Sequence, residues 1–208
     1  MRLVRYIMRV RQLTESTTAI VIASGPSLTS EQVDAARRSG HRTIVVNTTY
    51  RMMLDADNLY AGDFLWWKFH YADVSARFAG KCWTQDSTVA ARWPWIKRQR
   101  AINRDGLGKD LIHLNGNSGF QALNLAFLWG YRRIILLGFD MKAGPRGERH
   151  HHPDHPHPMV INQTFDEWRH KSIKLAADLV AAKCSVINAT PDSALTTFPV
   201  ADWWEVLK

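Results

Sequence analysis

From Thr18 onward, short apolar runs rich in β-branched residues alternate with longer stretches whose apolar positions recur every three or four residues. That alternation predicts an α/β fold, a mostly parallel sheet with helices on both faces. Residues 19–23 are apolar throughout, the pattern of a first strand buried on both sides. A turn at Ser24-Gly-Pro-Ser-Leu28 follows, and Thr29 with Gln32 has capping-box spacing for a helix ending near Gly40. Residues 43–46 predict a second strand closed by Asn47, and residues 58–61 a third closed by Gly62 and Asp63, with a helix over 64–78.

Residues 81–84 read as a strand. Residues 85–110 mix tryptophan, proline and arginine without a period and predict an irregular insert. Order returns at 111–114, a strand running into Gly116-Asn-Ser-Gly119 and a helix with Phe120, Leu123, Ala126 and Phe127 on one face. Residues 134–137 form the clearest strand pattern and end at Gly138-Phe-Asp140. A polar, His-rich loop over 142–163 leads to a helix over about 165–182, a last strand over 185–188, and a closing segment with Trp203 and Trp204 that packs across the body. No repeat or linker divides the chain, so residues 1–208 read as a single Rossmann-like domain.

With 208 residues, 46% of them hydrophobic and 22% charged, the chain has the material for a full core and is not of disordered composition. No stretch approaches the ~20 uninterrupted apolar residues of a transmembrane helix. Cys82 and Cys184 are far apart and lack Cys-x-x-Cys spacing, which signals neither a disulfide framework nor a thiolate zinc site and fits a reducing cytoplasm. Met1 to Leu13 carries four arginines but no continuous apolar centre, so it reads as a basic helix or strand lying on the body rather than a secretory signal. The charge is less ordinary: 27 Lys and Arg against 19 Asp and Glu give +8, and there are nine tryptophans. Such a field attracts nucleotides, polyanions and anionic surfaces.

Ligands of open parallel sheets bind beyond the carboxyl ends of the strands, where helix N-termini and loops converge. The polar residues of interest fall there: Ser24, Gly25, Pro26 and Ser27 after the first strand, Asn47 after the second, Asp63 after the third, Asn117, Ser118 and Gly119 before a helix, and Asp140 after the strongest strand. Gly25 permits close backbone approach to a ligand, Pro26 stiffens the turn and Ser27 offers a hydroxyl to phosphate. Taken singly, such residues also serve as helix caps; together they outline a nucleotide or phosphate site. Neither a P-loop nor a Gly-x-Gly-x-x-Gly fingerprint occurs.

Gly25-Pro-Ser-Leu28, Val46-Asn-Thr-Thr-Tyr50, Asn117-Ser-Gly119 with the helix after it, Gly130-Tyr-Arg-Arg-Ile-Ile-Leu-Leu-Gly-Phe-Asp140 and Asn188-Ala-Thr-Pro-Asp-Ser-Ala-Leu195, in that order, resemble the bacterial sialyltransferases that use CMP-sialic acid and related, often phage-encoded, proteins. The resemblance covers most of residues 19–195. It implies a nucleotide-sugar donor held by Gly25, Ser27, Asn47 and Ser118, with Asp140 near the ribose. Ser24 stands where that family has Asn, and Asn117-Ser118 where it has Thr-Ser, which leaves the base and the sugar open. The Gly-Pro-Ser-Leu turn is also similar to that of archaeal-type 6-hydroxymethylpterin diphosphokinases, which transfer diphosphate from ATP.

Five of nine histidines lie in His150-His-His-Pro-Asp-His-Pro-His157. An imidazole here can take the proton of an acceptor hydroxyl while the donor phosphate leaves. The resemblance likewise implies one histidine base from this region. His152, His155 and His170 are competing candidates, the first two favoured because Asp154 and the adjacent prolines would orient them. A second reading makes His150, His152, His155 and His157 ligands of a divalent metal, with Asp154, Asp140 or Asp63. A third is a solvated lid without chemistry.

Residues 92–104 interleave Trp93 and Trp95 with Arg92, Lys97, Arg98, Arg100 and Arg104, and Trp66-Trp67-Lys68 would extend that surface. Cations neutralise phosphates while indole faces stack on unpaired bases; indoles equally stack on sugar rings, or pack beneath a loop. The expectation is therefore a glycosyltransferase-like enzyme moving a sugar or related group from a nucleotide-activated donor to a hydroxyl acceptor, with phage DNA as one acceptor. The alternatives are a non-catalytic nucleotide- or nucleic-acid-binding protein and a metal-dependent phosphoryl transferase, diphosphokinase or hydrolase.

Overall fold

The all-apolar run near residue 20 becomes an inner strand because neither of its faces can be left in water. In the computed structural model, which describes residues 17–153 and 164–208, the elements follow in the order β1 (Thr18–Ile22), α1 (Ser30–Arg38), β2 (Arg42–Val46), a 3-10 turn (Asn47–Arg51), β3 (Asn58–Tyr60), α2 (Phe64–Arg77), β4 (Lys81–Thr84) and α3 (Ser87–Arg92). They continue with β5 (Lys97–Arg98), β6 (Ala101–Ile102), β7 (Ile112–His113), α4 (Ser118–Leu128), β8 (Arg133–Leu137), α5 (Phe165–Ala181), β9 (Ser185–Asn188) and α6 (Trp203–Val206). The predicted capping box is present at the start of α1, where Thr29 and Gln32 bond reciprocally.

Seven strands form one sheet in the order β5-β4-β3-β2-β1-β8-β9, and every neighbouring pair is parallel. This is a Rossmann-like α/β fold with helices on both faces. The chain steps outward from β1 to β5, then returns to lay β8 and β9 on the other side of β1. The order therefore reverses between β1 and β8, whose register pairs Ile22 with Leu137. On one face Ala19, Val21, Ile134 and Leu136 pack under α4 and α5; on the other Ile20, Ile22, Ile135 and Leu137 pack under α1, α2 and α6. Almost all of α4 is buried, which fixes its N-terminus firmly against the sheet. Cys82 and Cys184 are buried free thiols in opposite core layers.

Two expectations change. The insert is ordered: α3 is capped by Asp86, and β5 extends the main sheet as its edge. The 111–114 segment does not join the main sheet, because β7 pairs instead with β6 in a separate two-stranded sheet. The pairings of β5 with β4 and of β7 with β6 lie between separate segments, which local periodicity does not report. No helix among the described residues is long and apolar enough to cross a membrane. The basic segment at Met1 to Leu13 lies outside the described residues.

Candidate functional site

At the reversal point the two strand ends stay paired beyond the strands. Ala23 N–H donates to Leu137 O at 2.8 Å and Gly25 N–H to Gly138 O at 2.9 Å. Asp140 then crosses from the end of β8 to the turn after β1, where its Oδ1 accepts the Ser27 N–H at 2.9 Å. A Cβ on Gly25 would fall 1.8 Å from Asp140 Oδ2. The glycine thus makes room for this carboxylate, a different role from the ligand approach expected of it. Gly138, at φ +69°, is equally constrained, since a Cβ there would lie 2.5 Å from Ala23 O.

These strand ends wall a cavity of about 610 Å³, a size suited to a nucleotide-sized ligand. Ser24, Gly25, Pro26, Asn47, Asp63, Asn117, Ser118, Gly119 and Asp140 all line it; Ser27 does not, and acts through its N–H on Asp140. Asn47 opens the 3-10 turn at φ +51°, a left-handed conformation that a non-glycine residue adopts at some cost. Asp63 stands at the N-cap of α2 yet makes no capping bond. Its pKa is raised by desolvation at the cavity wall and by the Asp86 carboxylate. Burial likewise raises the pKa of Asp140, with the Ser27 hydrogen bonds opposing it.

Asn117 caps α4, its Oδ1 accepting the Phe120 N–H at 2.9 Å. The N–H groups of Ser118 and Gly119 have no acceptor among the described residues. A helix N-terminus with free N–H groups favours an anion. Three further polar atoms, Asp140 Oδ2, Asn47 Oδ1 and Asn117 Nδ2, are buried without a hydrogen-bond partner among the described residues. Each belongs to a residue lining this cavity. Buried polar groups are nearly always satisfied, and three exceptions on one cavity mark the places where a ligand's groups would bond.

The opposite wall was not legible beforehand. Lys142 and Arg149 line it together with Phe165 and Trp168. The Arg149 guanidinium lies 4.4 Å from the Phe165 ring centroid, and Trp168 Nε1 donates to Gly116 O at 3.0 Å, tying α5 to the turn before α4. Lys142 pairs with Asp192 at 2.5 Å. Basic residues within a polar loop carry no periodic signal; only their proximity to Asp140 in the chain hinted at them.

His150 and His151 lie against the turn after β1 and the 3-10 turn after β2. His150 lines the cavity, with Nδ1 3.2 Å from Ser24 Oγ. His151 N–H donates to Ser24 O at 3.0 Å, and its Nε2 lies 3.4 Å from Thr49 Oγ1. Burial, with His152 beside it, lowers the His151 pKa to about 4. His152 stacks on His150 at 4.9 Å, the planes 4° apart, and does not itself line the cavity. His170 is exposed on α5, away from the cavity lining. Asp154, His155 and His157 lie outside the described residues. Among the described residues no group of three or more His, Cys, Asp or Glu side chains could hold a metal. The histidine that the structure brings to the site is His150, which the sequence placed only among metal ligands.

Trp66 and Trp67 are a correction. Both are buried, Trp66 Nε1 donating to Thr48 Oγ1 and Trp67 Nε1 to Ala61 O, so they form core and cavity wall rather than an outer binding surface. Arg92, Trp95, Lys97, Arg98 and Arg100 are exposed, and Trp93 is half-buried. In comparisons with known proteins, no family model matches the chain, and neither a curated relative nor a solved structure matches it.

Proposed function

We propose that the cavity binds a nucleotide-activated donor and that the protein transfers the donor's sugar, or a related group, to a hydroxyl acceptor. The observation that carries this reading is the set of unpartnered polar atoms, Asp140 Oδ2, Asn47 Oδ1 and Asn117 Nδ2, on one cavity at the strand-order reversal. Asp140 Oδ2 accepts a ribose hydroxyl, and Asn47 and Asn117 bond the base edge and phosphate. The Ser118 and Gly119 N–H groups, with Arg149, hold the phosphates at the start of α4.

In the transfer step the acceptor oxygen forms a bond to the donor's anomeric carbon as the bond from that carbon to the phosphate oxygen breaks. The electron pair leaves with the nucleotide phosphate. His150, oriented by Ser24, takes the acceptor's hydroxyl proton. Charge developing on the leaving phosphate is met by the α4 N-terminus and Arg149, groups already in position before the reaction.

A His150→Gln variant tests the step. Turnover should fall by roughly a hundredfold or more, while nucleotide affinity by calorimetry stays near that of the unaltered protein. Undiminished turnover would remove His150 from the role, and loss of nucleotide binding would make it a binding residue instead.

A further inference from the structure

Residues 64–104 carry eight Lys and Arg against two carboxylates, Asp73 and Asp86. Both carboxylates are committed inward. Asp73 bonds Tyr50, Arg51 and Arg77, and Asp86 caps α3 through the N–H groups of Thr88 and Val89. Lys68, Arg92, Lys97, Arg98, Arg100 and Arg104 are consequently exposed with no carboxylate partner among the described residues. Elsewhere Arg37, Arg42 and Arg169 are ion-paired, while Arg38, Arg132 and Arg133 also lack a carboxylate partner among the described residues. Residues 64–104 thus carry a net +6 of the chain's +8, in the part of the chain that holds β5, the last strand of the sheet.

An aromatic path joins that edge to the cavity. Phe64, in the cavity lining, stacks on Trp93 at 6.2 Å and 19°. Trp93 stacks on Tyr71 at 4.5 Å and 15°, and Tyr71 leans on Trp95 at 5.9 Å. Trp95 is 43% exposed. We infer that the hydroxyl acceptor is a single-stranded nucleic acid, lying along the β5 edge with its phosphates on these cations and a base on Trp95, so that a neighbouring nucleotide enters the cavity beside Phe64. This inference rests on the transferase reading above. Neutral glycans give no use to exposed cations without carboxylate partners, and a duplex hides the base faces that an indole needs. A base to be altered in a recess has to leave its stack.

The test uses the full chain and fluorescein-labelled oligo-dT of 20 nucleotides, read by fluorescence anisotropy over a salt series. Saturable binding is expected. Trp95→Ala should weaken it by about tenfold, the loss of one base stack, and the Arg100→Gln, Arg104→Gln double variant should lower the slope of log affinity against log salt by roughly 1.4. Should Trp95→Ala fail to fold by circular dichroism, the double variant decides. Absence of oligo-dT binding, or affinity indifferent to these substitutions, would overturn the inference. So would duplex DNA, heparin or phosphatidylserine vesicles binding as tightly as oligo-dT. Nucleotide titration of the same preparations separates the two readings: bound nucleotide without bound oligo-dT sinks the acceptor alone, and bound oligo-dT without bound nucleotide sinks the donor site.

Discussion

The carboxylate of Asp140 occupies the space that a side chain at Gly25 would need, with a Cβ there only 1.8 Å from Oδ2. The same carboxylate holds the Ser27 N–H. One residue from the end of β8 thereby sets the shape of the turn after β1, and the two strands on either side of the reversal are locked into a single binding surface.

Gly25→Ala should lower stability by about 1–3 kcal/mol, because the turn and Asp140 cannot both stay in place, and nucleotide binding should be lost with it. Gly40→Ala is the control. Gly40, unlike Gly25, has positive φ, +68°, and open space around it, so only backbone strain of about 1 kcal/mol is expected, with nucleotide affinity retained. Thermal unfolding and calorimetry of both variants read the contrast.

Asn47→Gly separates backbone from side chain. Glycine adopts the left-handed conformation of position 47 without strain, so the melting temperature should hold or rise slightly. Nucleotide affinity should nevertheless fall by roughly tenfold as Oδ1 is lost. An affinity equal to that of the unaltered protein would mean that Asn47 shapes the turn and touches no ligand.

Asp63 is held above the ordinary carboxylate pKa by desolvation at the cavity wall and by Asp86. A raised folded-state pKa in an acid means that the folded protein keeps this proton longer than the unfolded chain, so stability falls as pH rises through the carboxylate range and stays lower above it. Asp63→Asn should therefore raise the melting temperature at pH 7, with the gain vanishing near pH 3, where Asp63 is protonated in both states. A gain independent of pH would contradict the assignment.

For His151 the sign is opposite. Its pKa is lowered to about 4 from 6.5, so the folded state resists protonation that the unfolded chain accepts. The stability of the neutral ring is fully present above about pH 6.5 and is lost as pH falls toward 4. The imidazole resonances of His151 should titrate near 4 by NMR, and His151→Gln should flatten the fall in melting temperature over that window.

Much of the fold could be read in advance because an inner parallel strand must be apolar on both faces, and β1 and β8 are. The strand-end residues Ser24, Asn47 and Asp140 were legible for the same reason: once the strands are placed, their carboxyl ends follow; Asn117 is legible instead as the cap of the helix that opens at Ser118. The burial of Trp66 and Trp67 is not legible because an indole beside a lysine has the same sequence appearance on a surface as under one. The wall of Lys142, Arg149, Phe165 and Trp168 has no local signature, because it forms only when the loop after β8 and the first turn of α5 meet. The β6 and β7 pairing was hidden likewise, each strand only two residues long.

The most direct test is a titration of the ¹⁵N-labelled protein with CMP, UDP, ADP and GDP, followed by amide NMR. Binding at the strand-order reversal predicts that at least one nucleotide shifts the Gly25, Asn47, Ser118 and Gly119 amides together and saturably, and that Asp140→Asn weakens the effect. If none of the four moves those amides, or if the shifts cluster away from the carboxyl ends of β1, β2 and β8, the cavity is not the nucleotide site.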